Sequence, residues 1–295
     1  MVKFIAEICS NHNNDLSRVI KLIEVAASIG CDAVKFQLFR IDKLFHSSIL
    51  NHPDYQFLQE RRQWELPLHW FHQLRETCND HRIEFGCTPF DLDAVDFLWS
   101  YVDFYKISSY DLMRSDLLQA ICNRGLPVIM STGMATLGEV TEVVARYGEF
   151  SNRHFERLTL LHCISEYPTP VDHCNLSFIG KLNLIHSDKI TIGWSDHSAN
   201  PAVINRAVNK WNAQVIEFHL DLEDGLGNEY RLGHCWLPSQ AKKMIEDCRS
   251  GLEADGNWKY GVEDMEERGF RADSEDGLRP ERWMREKLNV SQIPG

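Results

Sequence analysis

The chain has 295 residues, enough for one large α/β barrel or two ordinary domains. Its 43% hydrophobic and 25% charged residues are the balance of a soluble globular protein. A formal net charge of −12 argues against a nucleic-acid partner, because phosphate-backbone binding needs concentrated Lys and Arg. A small anionic substrate stays compatible, since a few local cations override the global sign.

The opening MVKFIAEICSNHNND is expected to carry no signal peptide: its apolar run is short and Glu7 interrupts it. No stretch approaches a membrane span. Nine cysteines without a CxxC pair, mostly in apolar runs, point to buried thiols of a reduced, cytoplasmic protein. Strand-like runs follow in order: FIAEIC (4–9), DAVKFQLF (32–39), IEFGC (83–87), VDFYKIS (102–108), LPVIMS (126–131), LTLLHC (158–163), KITIG (189–193) and AQVIEFHL (213–220). Continuous apolar runs of this kind suit parallel strands buried on both faces. Between them lie helix-like segments, from DLSRVIKLIEVAASIG (15–30), with an acidic cap at its start and Gly30 at its stop, to PSQAKKMIEDCRSGL (238–252). This strict alternation predicts a single-domain (β/α)8 TIM barrel over residues 1–251. An open doubly wound sheet would need a glycine-rich phosphate turn after the first strand, and CSNHNND has no glycine. Residues 40–66 form a long connection expected to act as a lid or carry its own short helix. Residues 252–295 read as a polar C-terminal extension.

In such barrels the chemistry sits at the C-terminal strand ends. Those ends offer Glu7, Asn11 and His12; Lys35 and Gln37; Thr88; Lys106 and Ser109; Ser131 and Thr132; His162; Ser195, Asp196 and His197; Glu217 and His219. Lysines inside apolar strands are costly unless they meet anions. Two readings stand: Lys35 and Lys106 cradle a phosphate-carboxylate ligand with the neighbouring hydroxyls, or each pairs with a barrel acid such as Glu7 or Glu217. His197 and His219 likewise read either as a two-imidazole site for a divalent metal or as buried, hydrogen-bonded histidines. His162 reads as structural or substrate-lining.

The stretches AEICSNHN, AVKFQ, CTPFD, YKISS, LPVIMSTGMAT, LLHCISEYPTP, GWSDH and VIEFHLD, in this order over about residues 3–250, resemble the sialic acid synthase family of N-acetylneuraminate, legionaminate and pseudaminate synthases. The resemblance implies a (β/α)8 barrel that condenses phosphoenolpyruvate with an amino-sugar aldehyde, giving a nine-carbon 2-keto acid and phosphate. It implies a divalent ion, Mn2+ or Mg2+, on His197 and His219, and catalytic roles for Glu7, Lys35, Lys106 and both histidines. Gln37, Thr88, Ser109, Ser131 and Ser195 would hold phosphoenolpyruvate. Tyr167, Asp111 and Glu229 would face the sugar. Asp196 is expected to support His197, while Trp194 is left without a role. Small-molecule substrates and a homodimer are the partners implied, with no nucleic acid and no membrane.

Three departures fall on the sugar side. The chain is expected to lack the family's C-terminal antifreeze-like domain. GLGNEYRLGHCWLP (225–238) replaces a Gly-Pro-Asp type segment, with Glu229 in place of an aspartate and His234 able to intrude. Ser109-Tyr110-Asp111 replaces a Ser-Gly-Glu type. The alternatives kept open are another phosphoenolpyruvate-dependent 2-keto-3-deoxy sugar acid synthase, or a non-catalytic barrel acting as a binding partner.

Overall fold

A computed structural model describes residues 2–186 and 189–256. Eight strands run parallel in chain order: β1 (Lys3–Glu7), β2 (Ala33–Leu38), β3 (Glu84–Pro89), β4 (Phe104–Ile107), β5 (Val128–Ser131), β6 (Leu158–Cys163), β7 (Thr191–Asp196) and β8 (Val215–Leu220). Strand β1 pairs with both β2 and β8, so the sheet closes into a barrel. The intervening helices are α1 (Leu16–Ser28), α2 (Phe71–Asp80), α3 (Leu92–Leu98), α4 (Ser115–Cys122), α5 (Leu137–Phe150), α6 (Ser177–His186), α7 (Pro201–Asn209) and α8 (Pro238–Ala254). This is the (β/α)8 fold that the alternating pattern predicts.

Local chemistry sets the element ends. Asp15 caps α1 by accepting from the backbone N–H groups of Ser17 and Arg18, and Gly30 stops it with φ +93°. Thr136 and Glu139 form a reciprocal capping box at α5. The connection through residues 40–66 carries short helices at Ile41–Leu44, Ser47–Leu50 and Phe57–Glu60. They are held by a small core of Phe39, Ile41, Leu50 and Leu58.

Two apolar layers build the scaffold. The larger lies between the strands and the helix ring. The smaller plugs the lower barrel with Ile5, Ala33, Phe104, Ile129, Leu161 and Val215, where each fully buried large side chain contributes about 1.5–3 kcal/mol. Phe104 fills the space beside β3: a Cβ on Gly86 would lie 2.1 Å from its ring. Side chains two positions along a strand share its face. Above this plug the barrel interior therefore receives Glu7, Lys35, Lys106, Ser131, Cys163 and Glu217, and a polar floor follows from strand register.

After β8, a two-residue strand β9 (Cys235–Trp236) adds alongside it through His219↔Cys235 and Leu220↔Trp236. All nine cysteines are free thiols. No helix among the described residues is long and apolar enough to cross a membrane. Of the extension expected at 252–295, residues 257–295 lie outside the described residues.

Candidate active site

The floor is a charge network. Glu7 is 1% exposed and in direct contact with Lys35 Nζ, while its Oε1 accepts from the backbone N–H of Cys9 at 2.7 Å. Lys35 also donates to Thr88 Oγ1 at 3.3 Å and stands 3.9 Å from Glu217. Lys106 donates to Glu217 Oε1 at 3.2 Å, and Ser195 donates to the same oxygen at 3.1 Å. Of the two readings of the lysines, the pairing with barrel acids is therefore present. It does not use up the ammonium groups, each of which has three donors. Burial, against the pull of Glu217, lowers Lys35 to about 8. Burial alone would raise Glu217, but Lys106 and Lys35 carry it down to about 2. With two lysines and two glutamates, the formal charges of the floor cancel.

Beside the floor is a cradle of hydroxyls. Ser109 Oγ accepts the N–H of Gly133 at 3.0 Å. A Cβ on Gly133 would lie 2.4 Å from Ser165 Oγ and 2.8 Å from Ser109 Oγ, so only glycine leaves these hydroxyls room. The hydroxyls of Ser131 and Ser165 are buried without a partner among the described residues. Such groups cost free energy unless something completes them. Gln37 is half-buried, one step above Lys35 and in register with Thr88.

At the mouth, His197 Nδ1 lies 2.9 Å from the Ile164 carbonyl and His219 Nδ1 lies 2.8 Å from Glu229 Oε2. Both partners only accept, so each Nδ1 carries the proton and each Nε2 keeps its lone pair. The ring centres are 5.2 Å apart. Burial, then the neighbouring His219, lowers His197 to about 3. Burial also lowers His219, outweighing the attraction of Glu229. Burial would raise Glu229, but His219, His234 and Cys9 hold it well below the usual carboxylate range. His219 is neutral and Glu229 charged, the arrangement by which a carboxylate orients a metal-binding imidazole. Tyr167 packs over His197 with ring centres 4.1 Å apart.

These imidazoles fit a divalent ion. Among the described residues the Nε2 atoms of His197 and His219 make no hydrogen bond, and His234 adds a buried Nδ1 without a partner. His219, Glu229, His234 and Cys235 each place a ligand atom within 4.8 Å of the others, a group that does not include His197, whose ring centre stands 5.2 Å from that of His219.

Several expectations change. Asp196 does not support His197. It lies two positions from Trp194, on the outer face of β7, while Ser195 and His197 point inward. Its carboxylate accepts from the indole N–H groups of Trp194 and Trp236, each at 3.1 Å, from Ser198 Oγ at 2.6 Å and from the Ala199 N–H at 3.1 Å. Trp194 thereby gains a role, as a buried brace behind the site. Asp111 engages its own loop, accepting from Ser108 at 2.9 Å and lying 3.4 Å from Arg114. His162 is structural: its Nε2 donates to the Cys174 carbonyl at 3.1 Å, and its ring packs on Phe178 and Trp194. Sequence reasoning did not single out Ser165 and Gly133. Their signal was the pair of small residues following strands already marked as site-bearing.

The NeuB family model matches residues 22–260. The chain is 34% identical to N,N'-diacetyllegionaminic acid synthase of Campylobacter jejuni, over 82% of this chain and 73% of that protein. It is 29% identical to pseudaminic acid synthase of the same species, over 89% of this chain and 77% of the other. The crystal structure of N-acetylneuraminic acid synthetase from Leptospira borgpetersenii, in complex with citrate, superposes with a TM-score of 0.78 at 26% identity, covering 98% of this chain and 90% of that one. The chain therefore belongs to the NeuB family.

Proposed function

We propose that this protein condenses phosphoenolpyruvate with an amino-sugar aldehyde of the N-acetylmannosamine kind, giving a nonulosonic, sialic-acid-like 2-keto acid and phosphate. The observation that carries this reading is the buried Lys35–Glu7 and Lys106–Glu217 floor with unpartnered hydroxyls on one side and free imidazole nitrogens above it. The similarity to synthases of legionaminic, pseudaminic and N-acetylneuraminic acid supports it.

His197 and His219 would hold a divalent ion, Mn2+ or Mg2+, which when bound supplies Lewis acidity toward an aldehyde oxygen and the net positive charge that the neutral floor lacks. The chain's own residues do the rest. Lys35 and Lys106 meet the carboxylate and phosphate of phosphoenolpyruvate, with Gln37, Thr88, Ser109, Ser131 and Ser195 completing its hydrogen bonds. Tyr167 walls the sugar side, and Glu229 keeps His219 in its metal-binding tautomer. The enol carbon attacks the aldehyde carbon, water adds at the oxygen-bearing carbon of the enolpyruvate unit, and phosphate leaves from that carbon. Glu7, held beside Lys35, is the base that takes a proton from the water, a proton that balances the one gained by the former aldehyde oxygen, while the second water proton leaves as the 2-keto group forms and phosphate departs. Fixing both substrates over one rigid floor replaces a bimolecular encounter by an oriented one.

Incubation with phosphoenolpyruvate, Mn2+ and a panel of 2-acetamido sugars tests this. Phosphate release that requires both metal and sugar is expected. No sugar-dependent release with any six-carbon member of the panel would contradict it.

A further inference from the structure

The segment between β8 and α8 brings a third imidazole to the mouth, and the fold holds it there firmly. Asn11, fully buried after β1, donates to the Leu220 carbonyl at 3.0 Å and accepts the N–H of Glu229 at 2.8 Å, so it ties both ends of this turn. Gly227 fits only because it has no Cβ: one would lie 2.5 Å from both Asn11 Oδ1 and Asp221 Oδ1. Arg18 on α1 clasps the same turn through Asp221 and Asp224. Gly233, at φ +83°, then turns the chain into β9, and Trp236 is anchored on Asp196. His234 is left 2% exposed between these anchors.

The ring centre of His234 lies 4.6 Å from that of His219 and 6.0 Å from that of His197, and those two are 5.2 Å apart. With a metal–nitrogen bond of about 2.1 Å and a ring centre about 1.1 Å beyond it, two imidazoles on one ion have centres roughly 4.5 Å apart at right angles and at most about 6.4 Å apart when opposed. All three separations fall inside that span. His234 Nε2 faces Glu229 Oε2 at 3.8 Å, and its Nδ1 is buried with no hydrogen-bond partner among the described residues. A buried ring nitrogen without a partner is costly unless a ligand completes it. Glu229 Oε2 bonds the His219 ring at 2.8 Å and stands between it and the His234 ring, 3.8 Å from Nε2.

We propose that His234 is a third imidazole ligand of the ion held by His197 and His219. The site then selects a borderline transition ion such as Zn2+ or Co2+ over Mg2+. This rests on the reading of His197 and His219 as a metal pair. The reason is ligand chemistry: imidazole suits Zn2+, Co2+ and Ni2+, whereas Mg2+ prefers an oxygen set and keeps its waters. Cys235 stays outside the set as a thiol packed on Asn11, whose Nδ2 lies 3.5 Å from its sulfur.

The test is equilibrium dialysis of the full chain against Zn2+, Co2+ and Mg2+, with the visible spectrum of the Co2+ form. The wild type is expected to bind Zn2+ and Co2+ at least about 100-fold more tightly than Mg2+. His234→Ala, and His234→Gln as a bulkier replacement, should lose about 10-fold or more in Co2+ affinity and alter the Co2+ spectrum. Equal affinity for Mg2+ and Zn2+ in the wild type would overturn the proposal without any variant. So would an unchanged Co2+ affinity and spectrum in a folded His234 variant, or a sulfur-to-cobalt band that disappears in Cys235→Ser. In those cases a loss of binding in His197→Ala keeps the two-histidine reading intact. Unchanged binding in His197→Ala refutes that reading and the proposal with it.

Discussion

Asp196 shows how a residue beside a functional histidine can serve the site from behind it. Its carboxylate is fully buried and accepts four hydrogen bonds, two of them from the buried indoles of Trp194 and Trp236. It thus joins the end of β7, which carries His197, to β9, which follows His234. Asp196→Ala leaves two indole N–H groups buried and unpaired. Each such donor costs about 1–3 kcal/mol, so a loss of about 3 kcal/mol or more is expected in urea denaturation. Trp194→Phe removes one of these bonds and should cost distinctly less. A near-neutral Asp196→Ala would show that the brace carries no load. Strand alternation puts Asp196 and His197 on opposite faces, and that rule outweighs the adjacency on which the expectation of support rested. What it could not supply was the partner, since Trp236 reaches Asp196 across 40 positions of chain.

At the scale of elements, the eight strands were legible because each is a continuous apolar run of strand length, and buried parallel strands need that. Strand β9 was not, because two residues carry no periodicity. The turn between β8 and β9 was equally opaque. Its shape depends on Asn11 and Arg18, which come from the other end of the chain. Glu229 and His234 could be noted there as departures, but not placed. The packing of β6 on α6 gives a prediction at this scale. Burial pushes His162, wedged against Phe178 and Trp194, down to about 4. The unfolded chain, with its histidine near 6.5, takes up a proton that the folded chain refuses. This contribution to stability is therefore complete above about pH 6.5 and is lost as the pH falls toward 4. His162 should account for about 2 kcal/mol of the stability lost between pH 7.5 and 5. Urea titrations at the two pH values check this: a His162→Phe variant should show a correspondingly smaller drop than the wild type. Equal drops would refute the assignment.

Over the whole molecule, the barrel is stacked in layers. An apolar plug fills the bottom, a neutral network of two lysines and two glutamates lies above it, and imidazoles close the top. Strand alternation makes that order readable once the strands are known, because Ile5, Ala33, Phe104 and Val215 each stand two positions before Glu7, Lys35, Lys106 and Glu217. Which lysine meets which acid was not readable, since it depends on how side chains cross the closed barrel. A neutral floor beneath imidazoles that would hold a divalent cation suits a ligand that brings a carboxylate and a phosphate together, and on this the functional account stands. The most direct test is the mass spectrum of the product formed from phosphoenolpyruvate labelled with carbon-13 in all three carbons and an unlabelled six-carbon 2-acetamido sugar. The account predicts a 2-keto acid with a nine-carbon backbone that carries all three labelled carbons, with one phosphate released per molecule. Label recovered only as pyruvate, or in a seven- or eight-carbon acid, would contradict it.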